Sequence, residues 1–85
     1  MAKSIYSAEQ VKLQALLRQV RAEANLTQVG LAGRLGKPQS FVSKYESGER
    51  RLDLVELRSV CRCLGISLTK FVERFESASK YPKRR

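Results

Sequence analysis

The 85-residue sequence predicts an all-α domain of five helices. Two observations carry that prediction. Apolar residues return every three or four positions along most of the chain, the spacing that gathers one stripe on a helix. Between the stripes stand stop and start residues: Ser7, Thr27, Asp53 and Ser67 before helices, and Asn25, Gly36, Gly48 and Gly65 after them. No stretch alternates as a half-buried strand does, and no repeat or low-complexity segment is present.

Ser7-Ala8-Glu9-Gln10 is a capping-box pattern, with a hydroxyl placed to bond the third amide and a glutamine to reach back. It opens a first helix, about 8–24, whose Leu13, Leu16, Leu17, Val20 and Ala24 form one stripe. Asn25 suits the left-handed position that ends a helix. Thr27 caps a second helix, about 28–35, with Leu31, Ala32 and Leu35 inward. Gly30 inside it costs up to ~1 kcal/mol in helix propensity, which tertiary packing must offset. Gly36 closes this helix, and Lys37-Pro38 leads into a third, about 39–47. Pro38 is tolerated there because the first amides of a helix lack intrahelical partners. Gly48 ends the third helix, and 49–52 form a loop. Asp53 to Glu56 repeats the capping pattern and opens a fourth helix, 54–64, which buries Leu57, Val60, Cys61 and Leu64 and stops at Gly65 with Ile66 beneath. Ser67 starts a fifth, about 68–77, apolar at Leu68, Phe71, Val72 and Phe75. Residues 1–7 then form an N-terminal arm, 8–79 the domain, and 80–85 a basic tail.

This length holds one core and no second domain. No run approaches the ~18 apolar residues that span a bilayer. The first ten residues lack the apolar stretch of a secretion signal, so a cytoplasmic protein is expected. Cys61 and Cys63, two apart on a helix, point in different directions, a poor geometry for a disulfide. With no histidine and no third cysteine, one chain cannot assemble an ordinary zinc site. Reduced thiols are expected, and neither metal, cofactor nor small-molecule ligand. No carboxylate pair stands in an apolar setting, and with histidine absent this argues against an enzyme. The net charge of +9, from 17 basic and 8 acidic residues, instead points to a polyanionic partner, most commonly nucleic acid. Four of the positives lie in the tail, leaving about +5 on the body. A membrane surface would require an amphipathic helix with a basic polar face.

The third helix shows where that charge is used. Val42 and Tyr45 make its inward ridge, while Gln39, Ser40, Ser43, Lys44 and Ser47 share the opposite face. Glutamine can bond adenine bidentately, lysine can donate to guanine, and serine adapts to either. Phe41 borders the two faces, suited to the core edge or to a thymine methyl. Any solvated helix face is polar, so the neighbouring helix matters. Small Ala32 permits close crossing, Gly36 permits a tight turn, and Arg34, Lys37, Lys44, Arg50 and Arg51 crowd the pair against only Glu46 and Glu49.

Segment 16–72 resembles the helix-turn-helix domain of phage repressor and Cro-type transcription regulators, the XRE family. The matching residues are Leu17, Arg21, the LTQ of 26–28, Leu31-Ala32, Leu35-Gly36, Val42-Ser43, Glu46, Gly48, Leu57, Leu64-Gly65 and Leu68. The resemblance implies a five-helix, lambda-repressor-like DNA-binding domain whose third helix reads the major groove. A homodimer on a palindromic operator is implied with it. Carried over by position, Gln39, Ser40, Ser43 and Lys44 would face base edges. Thr27, Gln28, Lys37, Arg50 and Arg51 would lie against phosphates, with Gln28 also bracing Gln39. Arg21 and Glu46 would form a salt bridge between the first helix and the third. Val72 and Phe75 are the candidates for a dimer interface.

Two departures stand out: Gly30 where an acidic residue is common, and Pro38 where a Ser or Thr cap is common. The expected function is a sequence-specific double-stranded DNA-binding regulator, a repressor acting by operator occupancy. The alternative is a protein-interaction module, or an antitoxin-like partner-binding protein, on the same fold. An RNA-binding role lacks a visible aromatic stacking set.

Overall fold

The computed structural model describes residues 7–78, and five helices are found there. They are α1 (Ala8–Glu23), α2 (Gln28–Leu35), α3 (Gln39–Ser47), α4 (Leu54–Leu64) and α5 (Leu68–Ala78). The all-α expectation is met, with bounds displaced by one residue at the ends of α1 and α5. Helix ends fray by that much. Residues 1–6 of the expected arm, Ser79 and the tail at 80–85 lie outside the described residues.

The predicted punctuation has a physical role at each junction. Ser7 Oγ, Thr27 Oγ1 and Ser67 Oγ each accept the amide three residues on, from Gln10, Gly30 and Lys70 respectively. Asp53 and Glu56 form a full capping box: the Glu56 amide donates to Asp53 Oδ1, and the Asp53 amide donates to Glu56 Oε1. Asn25 takes φ 60° to end α1, where the Leu26 amide reaches back to the Arg21 carbonyl. Gly36, at φ 69°, lets the Lys37 amide return to the Ala32 carbonyl at 3.0 Å, and so folds α2 back toward α3 without a long loop. Gly30 also has a local reason. A Cβ there would stand 3.3 Å from Thr27 Oγ1, the atom that caps the helix.

The core lies where α1, α3, α4 and α5 meet over α2. Leu31, Val42, Val60 and Cys61 are wholly buried, and Phe71 of α5 closes the core from the far side. α2 packs on α3 and α4, while α1 packs on both α3 and α5. Leu57, expected inside, is half-buried at the edge, because α4 is covered by α2 and α5 on only part of its circumference. Gln14 lies off the apolar stripe of α1, yet it is 7% exposed. It fills the space beside Gly48, where a Cβ would come within 2.8 Å of Gln14 Nε2. Among the described residues that nitrogen has no hydrogen-bond partner. Burial pushes the Cys61 thiol up to about 11, so it behaves as an apolar filler. Cys63 is a half-buried free thiol.

Candidate nucleic-acid interface

α3 is fixed from beneath and open above. Val42 and Tyr45 anchor it in the core, and Gln39, Ser40, Lys44 and Ser47 are exposed, with Ser43 half-buried beside them. Its first turn follows Pro38, whose fixed φ of −69° leads into the helix without any side-chain cap. At its other end Gly48 turns at φ 93°, and the Glu49 amide bonds the Lys44 carbonyl at 2.9 Å. Arg18 of α1 adds a cation to this terminus, where Nη1 donates to the Glu46 carbonyl at 2.8 Å. A cation there meets the negative end of the helix dipole.

A chain of polar bonds runs outward from the core to the exposed face. Arg21 Nε donates to Glu46 Oε2 at 2.7 Å and Nη2 to Oε1 at 3.1 Å, while Nη1 donates to the Leu26 carbonyl at 2.9 Å. Glu46 is 2% exposed. Its bond holds the Arg21 guanidinium even higher than its ordinary range, against the opposing effect of burial. Gln28 Nε2 donates to Glu46 Oε1 at 2.9 Å, and Gln39 Nε2 donates to Gln28 Oε1 at 2.8 Å. An outward-facing glutamine is thus seated, through Gln28, on the ion pair of Arg21 with the buried Glu46. Burial, with the Glu46 charge behind it, also raises the Tyr45 hydroxyl and keeps it neutral.

The cations around the pair are not equivalent. Lys44 and Arg51 are exposed and have no side-chain partner among the described residues. Lys37 Nζ lies 5.3 Å and the Arg50 guanidinium carbon 4.7 Å from the centroid of the Phe41 ring. That ring packs edge-on against Tyr45. Phe41 is therefore half-buried at the core edge and carries two cations by its π-face. Arg50 also makes a two-pronged bond to Glu56, at 3.1 and 2.8 Å. Arg50 and then the Asp53 amide hold the Glu56 carboxyl down at about 2.

A helix-turn-helix family profile matches residues 17–71, which span all of α2, α3 and α4. Among solved structures, an XRE-family-like protein from Pseudomonas syringae pv. tomato str. DC3000 is 42% identical, with a TM-score of 0.80 over 89% of this chain and 93% of that one. The chain belongs to the XRE family. The clp gene regulator ClgR from Corynebacterium glutamicum is 26% identical, with a TM-score of 0.74 over 85% of this chain and 77% of that one. The restriction-modification controller protein C.Esp1396I, seen as a tetramer with its natural 35 base-pair operator, is 24% identical; its TM-score of 0.76, over 84% and 93% of the two chains, is a likeness of fold. No match was found among the curated proteins.

For this XRE-family chain the structure gathers the expected base-facing residues, Gln39, Ser40, Ser43 and Lys44, on one side of α3. Gln28 reaches that side from α2 through its bond to Gln39, Thr27 precedes it as the α2 cap, and Lys37 stands in the turn before α3. The Thr27 hydroxyl accepts the Gly30 amide, and its own hydrogen can still donate. Arg50 differs from Arg51 in being held by Glu56, six residues away on the other side of a loop. That pair is not legible in the sequence, because each residue has a separate reading there, one as a phosphate ligand and the other as a capping residue. Arg18 and Gln14 were also missed, since neither lies on the apolar stripe. Of the α5 candidates, Val72 is 41% exposed, whereas Phe75 is half-buried against the monomer core.

Proposed function

We propose that this chain is a transcriptional repressor that reads double-stranded DNA through the exposed face of α3. Family membership supports a regulator, as in ClgR, and the geometry supports the mode of reading. One observation carries it: Gln39 is presented to solvent on a chain of hydrogen bonds rooted in the buried Arg21–Glu46 pair. A side chain already ordered loses less entropy when it binds. Gln39, Ser40, Ser43 and Lys44 contact base edges in the major groove. Thr27, Gln28, Lys37 and Arg51 contact phosphates, and Arg50 joins them where it leaves Glu56. Repression follows from occupying the operator in the cytoplasm, at the nucleoid.

The operator is palindromic and the protein a homodimer in this reading. The dimer surface includes Val72 and the exposed part of Phe75. Beside α5 runs an open groove of about 620 Å³ against α1, lined by Leu16, Gln19, Lys70, Glu73, Arg74 and Ser77, among others. Arg74 bridges it to Glu23 at 2.8 and 2.9 Å. Sedimentation that finds a monomer both free and on DNA would remove the dimer.

Selection from random duplex DNA tests the whole reading. An enriched sequence with two-fold symmetry is expected. No enrichment at moderate salt would sink DNA reading and favour a module that binds a partner protein.

A further inference from the structure

Glu46 stands at the inner end of the bond chain that reaches Gln39, and it decides the polarity of every link. Facing the Arg21 guanidinium, its carboxylate offers only acceptors. Gln28 therefore meets Oε1 with its amino group, and its own carbonyl oxygen turns outward. That oxygen can only accept, so Gln39 meets it through Nε2. Reversing either amide would set two oxygens face to face. Gln39 is left with a carbonyl and one N–H for a ligand, an acceptor beside a donor. The major-groove edge that matches is adenine, where N6–H₂ donates and N7 accepts.

We propose that Glu46 is a positioning residue for base specificity: acting through Gln28, it fixes which way the Gln39 amide faces and so sets adenine at the base pair Gln39 reads. This rests on α3 being the base-reading helix. An ion pair that only joined two helices would need Arg21 and Glu46 alone. The additional bond from Gln28 to Oε1 ties that pair to the exposed face.

Glu46→Gln reverses the input. An amide at position 46 keeps its carbonyl on Arg21 and turns its amino group toward Gln28. Gln28 answers with its carbonyl and sends its amino group outward, where Gln39 must meet it with a carbonyl. At the free edge of Gln39 acceptor and donor then change places, and the pair no longer lines up with adenine N7 and N6–H₂.

The test is selection from random duplex DNA with the wild type, Gln39→Ala, Glu46→Gln and Gln28→Met. Gln39→Ala identifies the base pair that Gln39 reads, and adenine is expected there in the wild type. Glu46→Gln should lower the preference for adenine at that base pair by about tenfold or more. Gln28→Met keeps the Arg21–Glu46 pair and should flatten the same base pair by releasing Gln39. In the free protein it should also speed exchange of the Gln39 side-chain amide hydrogens, read by NMR. If Glu46→Gln proves unfolded by circular dichroism, Gln28→Met decides alone. The proposal is overturned, with DNA reading intact, if that base pair is not adenine or if Gln39→Ala changes none. It is likewise overturned if the folded variants keep the wild-type preference or lose affinity evenly at all positions. A wild type that enriches nothing overturns DNA reading itself.

Discussion

Replacing Arg21 by methionine tests how much of the fold depends on the buried pair. Methionine keeps an apolar stem of similar length and deletes the guanidinium. Three donations are lost, two to Glu46 and one to the Leu26 carbonyl. Glu46 remains 2% exposed, with Gln28 as its side-chain donor, while Arg21 itself is 19% exposed. Removing one partner of a buried pair costs ~3–5 kcal/mol, and the partial exposure of Arg21 places this case near the lower end. An 85-residue domain has a total stability of roughly 4–13 kcal/mol, so a large share would go. Urea unfolding followed by far-UV circular dichroism measures the loss. One further result is expected. Arg21→Met combined with Glu46→Leu should return to within ~1 kcal/mol of the wild type, since a buried pair can be replaced by apolar residues at little net cost. A loss below ~1 kcal/mol for Arg21→Met alone would refute the reasoning and leave the pair no stronger than a solvated one.

Four other outcomes are expected. Lys44→Ala should relax preference at one base pair by ~1–3 kcal/mol, measured with a panel of single-base operator variants; an unchanged panel would remove Lys44 from the reading set. Arg51→Ala should weaken all sequences alike and reduce the slope of log affinity against log salt by ~1, whereas Arg50→Ala should change it less because Glu56 holds that guanidinium. Glu56 favours the fold as a carboxylate, its carboxyl being held at about 2 against an ordinary 4.5. That contribution is complete above pH 4.5 and is lost as pH falls toward 2, so Glu56→Gln should flatten the acid side of a plot of Tm against pH. Gly48→Ala should destabilise by ~2 kcal/mol, joining the strain of a left-handed residue to the clash with Gln14. Adding Gln14→Ala should relieve the clash and leave the strain, as read by denaturant unfolding.

The five helices were legible because stripe, cap and stop agreed at most junctions, the start of α3 at Pro38 having no side-chain cap. Ser7, Thr27 and Asp53 start helices where the stripes begin, and Gly36, Gly48 and Gly65 stop them where the stripes end. Contacts that join distant residues of like or opposite polarity were harder to read. Arg21 and Glu46 could be paired only through the family resemblance, since 25 residues separate two ordinary charges. The Arg50–Glu56 and Arg74–Glu23 pairs had no such guide. Gln14 was hidden for a different reason. Its burial follows from the missing side chain at Gly48, and a helix periodicity says nothing about a void left by a residue 34 positions away. The polarity of the Gln39 amide was equally invisible, because it depends on which acceptor ends the bond chain.

α1 packs on α3 with one face and on α5 with another, and Arg21 and Arg18 clamp it to the far end of α3. Its 16 residues form a rod ~24 Å long. In a dimer joined through α5, the gap between the two α3 helices is then a length set inside each subunit, with no hinge to adjust it. The molecule becomes a caliper. Inserting one base pair between operator half-sites would shift them by ~3.4 Å and rotate them by about a tenth of a turn, a mismatch the DNA must absorb by bending or twisting.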